Sequence, residues 1–565
     1  MPFRVAVIGG TGAFGERVCR LLARHDEVVP IVLARNRQRA KALAGELCKL
    51  HGRHDIQAAE LNLGIPGWVE VLASLQPDAV IHTAGPFQGA DYRVAEACIG
   101  LKAHYVDLAD ARAFVSGIER LDPAARAAGV LVTSGASSVP ALSAAVIDDM
   151  ATHLSRIDAI DIAISPGNRA PRGTATVAAI LSYVGRPVRL WRAGKWTHAV
   201  GWQDLHARAL ALPDGTRLGR RWFGLCEVPD LDLFPERYAV GQRVAFYAGL
   251  ELPLLHFGLW LLSWLVRWGW LRSLTPLAGI LHWMASVVRG LGTDRGGMLV
   301  DVAGQDAGGR AVIRRWRLLA ESGDGPWIPA LASVALVRKL ARGAVAARGA
   351  MPCTGLLQLE EIRAEAEGMA IRCASEEVRP LYVQCLGPAY GRLPLPIAQL
   401  HDVAGGAAWH GRADVDGPKA LLAWLAARSL GLPAPARDVA VTVEFEVRDG
   451  IETWRRTFAE REFASTQYAG SGGERGLIVE RFAFLCFAMD AVGSSDGIDL
   501  ELRSGRLLGI PLPRFLLPRI VARERVDDLG RFRFDVDIGV PGIGRLVHYR
   551  GWLEPAEATS RAAAE

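Results

Sequence analysis

The chain has 565 residues, 50% apolar and 22% charged, which excludes a single small module, a disordered chain and a repetitive fibre. Its 65 basic and 60 acidic residues leave a net charge of +5 with no block of like charge, so no nucleic acid partner is expected. The 8 Cys are scattered without C-x-x-C spacing and read as buried thiols, no metal site is expected, and the absence of an apolar leader reads as cytoplasmic.

Short β-branched runs at 5–8, 28–33, 56–61, 79–83, 104–107 and 130–133 alternate with helical patterns at 12–24, 37–50 and 90–99. Strands alternating with helices imply a parallel sheet covered on both faces, here a doubly wound Rossmann domain over 1–135. Directly after the first strand come Gly10, Thr11, Gly12, Ala13, Phe14 and Gly15, a G-x-G-x-x-G loop opening a helix. In that context the first glycine makes the turn, the second admits a pyrophosphate, the third lets helix and strand pack, and the helix N-terminus attracts the phosphates. At the end of the second strand no carboxylate stands where one would hold a ribose 2′-hydroxyl; Arg35 stands there instead, placed for a 2′-phosphate, so NADP(H) is the expected cofactor. Glu27 is at the wrong end of that strand for the ribose.

The fourth strand ends at His82 and Thr83, followed by Ala84, Gly85, Pro86, Phe87 and Gln88. Ligands of open parallel sheets sit outside the carboxyl ends of the strands, so Ala84, Gly85, Pro86 and Phe87 are expected to meet the nicotinamide half of the cofactor. Asp107 and Asp110 follow the next strand as candidate catalytic groups, with Ser134 and Ser137 after the one beyond; each also reads as a cap or turn residue. No Lys has Tyr four residues before it, which excludes an active short-chain dehydrogenase, and Ser137 lacks the closing glycine of a nucleophile elbow.

A second, α+β domain is expected over 136–365, with a strand at 157–164, a helix at 174–184 and a strand pair at 297–302 and 312–319 around the turn 306–309. Within it Trp260, Trp264 and Trp268 recur every fourth residue and would share one helix face. That face suits a core or subunit interface, an apolar substrate tunnel, or a membrane surface, whereas a membrane span is interrupted by His256, Arg267 and Pro276. Residues 363–377 read as a linker. A third domain over 375–560 shows a helix at 418–427 and then strands through 439–553 with glycine turns, an antiparallel meander or barrel-like sheet. Within it His401, Arg455, Arg456 and Arg481 fit either the lining of a pocket or a solvated face, and the solvated face is favoured for each taken singly.

The loop Gly9 to Gly15, Arg35, the run Thr83 to Gln88, Ala95 to Cys98, and Tyr105 to Leu108 together resemble the NADP-binding domain of saccharopine dehydrogenase-like oxidoreductases. Gly167 to Thr176, Gly249 to Glu251 and Gly297 with Met298 are similar to that family's second domain. Leu381 with Tyr382, His401 with Asp402, the run Trp454 to Phe458, and Tyr549 to Leu553 resemble a domain of uncharacterised function, DUF4166, fused behind such dehydrogenases. The resemblance implies a Rossmann domain, an α+β substrate and dimerisation domain, and NADP-dependent hydride transfer to a C=C or C=N bond. The Trp and Leu content of the second domain points to an apolar, lipid- or isoprenoid-like small-molecule substrate, with the tail binding or presenting it. An amino acid or imine substrate, and a non-catalytic NADPH-binding protein with a β-rich ligand-binding domain, stay open beside it. So do a homodimer and a membrane-associated state through the Trp-rich segment 254–288.

Overall fold

The computed structural model describes residues 2–171 and 173–556. They form two compact units: one within 2–153, 160–302 and 315–376, the other of 154–159, 303–314 and 377–556.

The first unit holds a parallel sheet whose leading strands are β1 (Phe3–Ile8), β2 (Val28–Ala34), β3 (Gln57–Glu60), β4 (Ala79–His82), β5 (His104–Asp107) and β6 (Leu131–Ser134). Their spatial order is β6-β5-β4-β1-β2-β3, so the strand order reverses between β1 and β4 and opens a crevice there. Every residue of β2 is buried, as a strand covered on both faces requires. Removing an Ile31 or a Leu33 from water contributes about 2 kcal/mol each. A seventh strand, Gly349–Pro352, pairs in parallel with β6 and comes from more than two hundred residues downstream.

A mixed sheet carries the strands His206–Ala211, Arg217–Leu225, Arg243–Ala248, Arg156–Ser165, Gly296–Gln305, Ala311–Ala320 and Ile371–Val378 in that order. The expected hairpin at 306–309 is present, with Asp306 Oδ1 accepting the amides of Gly308 and Arg310. The expected linker is not: residues 359–364 are helical and Ile371–Val378 is a strand. A charged stretch suits a linker, but an edge strand with one wet face carries the same residues.

The Trp-rich segment folds as two helices, Pro253–Arg267 and Ala278–Val287. No helix among the described residues is long and apolar enough to cross a membrane. The first helix is inverted relative to ordinary amphipathicity. Its buried residues are His256, Ser263 and Val266. Ser263 Oγ accepts from Gln203 Nε2 at 3.1 Å, and the His256 carbonyl accepts from Trp202 Nε1 at 3.2 Å. Leu254, Leu261 and Trp268 are exposed instead. Trp260, Trp264 and Trp268 do share a face, at 5.9 and 5.4 Å between successive rings, and none of the three is a core residue.

The second unit is a closed antiparallel barrel of ten strands, each paired with its neighbour in sequence. The strands are Gly406–Asp416, Ala436–Arg448, Ile451–Phe458, Arg461–Ala469, Ile478–Phe482, Leu485–Ser494, Gly497–Leu507, Arg519–Val526, Phe532–Val540 and Gly544–Pro555. The first and last pair from Trp409 with Pro555 to Asp416 with His548, which removes both edges. Period-two alternation drives the curvature: Val441, Val443, Phe445 and Val447 point inward from one strand. Asp449 and Gly450 both take positive φ, the two-residue turn whose twist suits a hairpin. Adjacent residues therefore face opposite sides, so Arg455 and Arg481 are exposed while Arg456 lies on the inner wall. His401 is also inside, at 1% exposure, with Nε2 2.6 Å from Glu524 Oε2. Strand parity and that carboxylate overturn the solvent-facing reading for Arg456 and His401.

Candidate functional site

The crevice between β1 and β4 is built by two loops that touch. Thr83 Oγ donates to the Ile8 carbonyl at 2.8 Å, and a Cβ on Gly9 would come within 2.9 Å of the same oxygen. Gly9 takes φ +79, a conformation other residues rarely adopt. At Gly15 a Cβ would run into the Gly9 carbonyl and come within 2.7 Å of Thr83 Oγ, so only glycine lets the helix Gly15–Leu22 (α1) start this close to the strand. Gly12 and Ala13 are exposed at the turn between strand and helix. The N-terminus of α1 has no side-chain cap, and Thr11 and Ala13 contribute amides without a backbone partner among the described residues. An uncapped helix end with free amides suits an anion such as a pyrophosphate where a capping side chain would otherwise stand.

Arg35 follows β2 directly, exposed, and precedes the helix Arg37–His51 (α2). The first turn of α2 carries no acidic residue and is capped by Asn36, whose Oδ1 accepts the Arg39 amide at 3.0 Å. Arg35, Arg37 and Arg39 thus lie together at a helix N-terminus, which favours a negatively charged group. Glu27, at the far end of β2, is engaged by Arg338 and Arg342.

On the other side of the crevice Ala84, Gly85 and Pro86 are exposed. Phe87 turns inward: its ring is 7% exposed and packs 5.1 Å from His82 and 5.2 Å from Phe114. His82 is itself buried with Nδ1 3.1 Å from the Tyr105 hydroxyl, and burial pushes its pKa down to about 4. Asp107 ends β5 entirely buried. Its Oδ1 accepts from Ala109 N, Gly135 N and Ser134 Oγ within 2.9 Å. Burial pushes its carboxyl up to about 6 against the pull of those three donors. Asp107 therefore ties the ends of β5 and β6 together, beneath the surface that a ligand would meet.

That surface is a cavity of about 600 Å³. It begins at Phe14 and at Gln88, Leu108 and Asp110 after β4 and β5, and continues past Ser137 and Val139 into the second part of the unit. There its walls include Ile164, Ile180, Trp202, Phe246, Leu250 and Met298. Asp110 takes a hydrogen bond from Gln88 Nε2 at 3.3 Å and is exposed at the cavity. Tyr183 Oη and Cys226 Sγ lie 2.9 Å apart in the wall. Burial raises the Tyr183 pKa well above its ordinary value, with Cys226, Asp110 and Glu227 adding to the effect. Arg112 is the one basic residue lining the cavity among the described residues, and it is committed to Asp232, which also takes Arg189 at 2.8 Å. Of the other arginines in the second domain, Arg169 donates to the Gly290 carbonyl and Arg172 lies outside the described residues.

The structure thus brings together the glycine loop, Arg35, residues 84–86, Asp110 and Ser137, and sets Phe87, Asp107 and Ser134 behind them as supports. Tyr183, Cys226 and Glu227 were not legible in the sequence. No motif surrounds them, and they reach the crevice only because the mixed sheet packs against the Rossmann loops.

Residues 5–133 match the family described as saccharopine dehydrogenase NADP binding domain, and residues 393–553 match the domain of unknown function DUF4166. No curated protein matches the chain in sequence. Among solved structures, saccharopine dehydrogenase (L-Glu forming) from Saccharomyces cerevisiae is 14% identical, covering 66% of this chain and 100% of its own, with a TM-score of 0.48. Amine dehydrogenase from Mycobacterium smegmatis is 13% identical over 62% of this chain and 95% of its own, at 0.32. A probable dehydrogenase from Thermotoga maritima is 10% identical over 64% and 93%, at 0.33. The chain thus carries, at 5–133, a stretch that matches the saccharopine dehydrogenase NADP binding domain, a nicotinamide-dinucleotide-binding domain of oxidoreductases, and at 393–553 a stretch that matches DUF4166.

Proposed function

We propose that the protein uses NADP(H) to reduce a C=C or C=N bond of an apolar, lipid- or isoprenoid-like molecule held in the 600 Å³ cavity. The observation that carries the substrate class is the lining. Its walls are mainly apolar, and the single lining cation among the described residues, Arg112, is already paired with Asp232. An amino acid adduct bearing several carboxylates would meet Asp110, Glu227 and Asp294 there and, among the described residues, no uncommitted guanidinium, a poor exchange for its hydration.

When bound, the cofactor supplies the hydride. The chain's part is to hold and exclude. The glycine loop and α1 hold the pyrophosphate, Arg35 the 2′-phosphate, and Ala84 to Pro86 the floor beneath the nicotinamide. The apolar walls orient the substrate and keep water from the reacting carbon. Tyr183, in the cavity wall with its hydroxyl 2.9 Å from Cys226 Sγ, is the proton source this reading assigns. Tyr183→Phe then lowers the turnover of a reduced substrate by about 100-fold with NADPH affinity unchanged.

The first experiment is a fluorescence titration with NADPH and with NADH, in wild type and Arg35→Ala. A guanidinium hydrogen bonded to the 2′-phosphate gives wild type a preference for NADPH of roughly tenfold or more, and the variant loses it. Equal affinity for the two nucleotides in wild type would remove the NADP assignment, and binding of neither would remove the oxidoreductase reading.

The exposed Trp268, Trp270 and Trp283 carry a second part of the proposal, contact with a lipid surface. No acidic residue occurs from 252 to 293, while Arg267, Arg272 and Arg289 are exposed among the indoles. Aromatic rings with interspersed cations suit the interface of an anionic bilayer, which is also where an apolar substrate resides.

A further inference from the structure

We propose that the barrel of the second unit is a separate binding site for an apolar chain ending in a hydroxyl or carboxylic acid group. An eight-stranded barrel is just wide enough for its own side chains to fill, so ten strands leave room to spare. Here that room is a cavity of about 300 Å³, at the lower end of the range of small-molecule sites. Its walls include Val443, Phe463, Leu500, Phe534, Val536 and Ile538. Side chains facing a void forfeit the dispersion contacts of a filled core, and a ligand of matching character restores them.

One stretch of wall is polar and built. Arg456 stacks over Trp454 and Phe463, 4.9 and 5.6 Å from the ring centres, and donates from Nη1 to Ser465 Oγ at 2.9 Å. Ser465 Oγ donates in turn to Glu480 Oε1 at 2.6 Å, and Arg456 Nη2 is 3.6 Å from that same oxygen. Beside them Gln467, 2% exposed, accepts at Oε1 from the Tyr382 hydroxyl at 3.1 Å. Arg456, Glu480, Gln467 and Tyr382 all line the cavity. A guanidinium has five donors and a carboxylate about four acceptor sites, so Arg456 can still donate and Glu480 still accept. An end group that does both, a hydroxyl or a carboxylic acid, fits between them.

An entrance of matching character stands nearby. Leu512 and Leu516 line the cavity, and the neighbouring Phe484, Leu508, Ile510 and Phe515 are exposed by 70% or more. Leu508 N donates to the Phe484 carbonyl at 2.9 Å, so these apolar side chains form one rim. A chain entering from water would meet that rim first.

The test uses the full-length protein stripped of lipid, with cis-parinaric acid as a fluorescent probe and a diazirine-bearing hexadecanoic acid as a photolabel. The expected results are saturable binding of parinaric acid, and photolabel confined to peptides between 382 and 553. Val443→Trp and Ala522→Phe, which fill the cavity, weaken binding roughly tenfold or more, and Arg456→Met weakens it several-fold, each with an unchanged circular dichroism spectrum. The photolabel requires no variant, so a misfolded substitution leaves the question decidable. Label recovered only from 137–298 would place the fatty chain in the other cavity and overturn the proposal, as would unsaturable binding in wild type. Neither readout depends on NADPH or turnover, so this result and that of the proposed reduction stand or fall separately.

Discussion

Gly15 and Gly45 show how differently two helical glycines can be constrained. A Cβ at Gly15 meets the Gly9 carbonyl and Thr83 Oγ, whereas one at Gly45, exposed within α2, meets nothing within 4 Å. Gly15→Ala is therefore expected to push α1 off the strand end, costing about 1–3 kcal/mol of stability and weakening NADPH binding. Gly45→Ala should instead stabilise by about 0.5–1 kcal/mol through the unfolded chain and leave the nucleotide alone. Urea midpoints and NADPH titrations of the two variants compare these outcomes directly; equal effects would mean that the glycine loop is not tightly packed. The loop was legible from sequence because each of its glycines answers a local backbone demand. The roles of Asp107 and Asp110 were not: both follow β5, yet one turns down into three hydrogen bonds and the other toward the cavity, a difference of chain direction over three residues.

At the scale of the element, the helix Pro253–Arg267 inverts the ordinary rule. Its polar residues His256 and Ser263 are buried, with Ser263 Oγ and the His256 carbonyl hydrogen bonded to Gln203 and Trp202, which leaves Leu254, Leu261 and Trp268 at the surface with Trp270 and Trp283. Replacing Trp268, Trp270 and Trp283 together by Ala should change stability little, since surface substitutions fall within about 0.5 kcal/mol each. It should reduce co-sedimentation with phosphatidylglycerol vesicles by roughly tenfold or more, because each indole contributes apolar area to the interface. Wild-type protein that stays in the supernatant would end the membrane reading. The four-residue spacing of the indoles was visible in the sequence. Which side of the helix they take depends on Trp202 and Gln203, whose hydrogen bonds hold the other side inward.

At the scale of the whole molecule, pH acts in opposite directions on two carboxyls, Glu27 of the first unit and Glu452 of the barrel. Within the first, Arg342 and Arg338 outweigh the burial of Glu27 and hold its carboxyl down to about 2. Its contribution is present above the ordinary 4.5 and is lost as pH falls toward 2. In the barrel, Glu452 is 2% exposed, and burial pushes its carboxyl up from 4.5 to about 7 against the pull of His401 and Trp454. Between those values the unfolded chain releases the proton that the folded barrel keeps, so stability falls as pH rises and levels off above 7. Glu452→Gln removes a slope of about 3 kcal/mol across that window. Urea unfolding of wild type and variant below pH 4.5 and above pH 7 measures it. Parallel curves would show that Glu452 ionises normally in the barrel.

The sequence by itself determined what rests on local chemistry. Strand and helix periods, the glycine loop, Arg35 at the end of β2, the turn at Asp449 and Gly450, and the meander were all readable because each depends on a few adjacent residues. Only the tertiary structure decided the rest. Gly349–Pro352 returns as the seventh strand of the Rossmann sheet, Gly406–Asp416 closes the barrel from before the helix Leu421–Ser429, and Tyr183 with Cys226 reaches a cavity whose other wall is the β5 loop. Arg456 and His401 lie inside a barrel that exists only once its first and last strands pair. Partners separated by more than a hundred residues are selected by sheet register and by which apolar faces bury one another, and neither leaves a mark in the residues immediately around them.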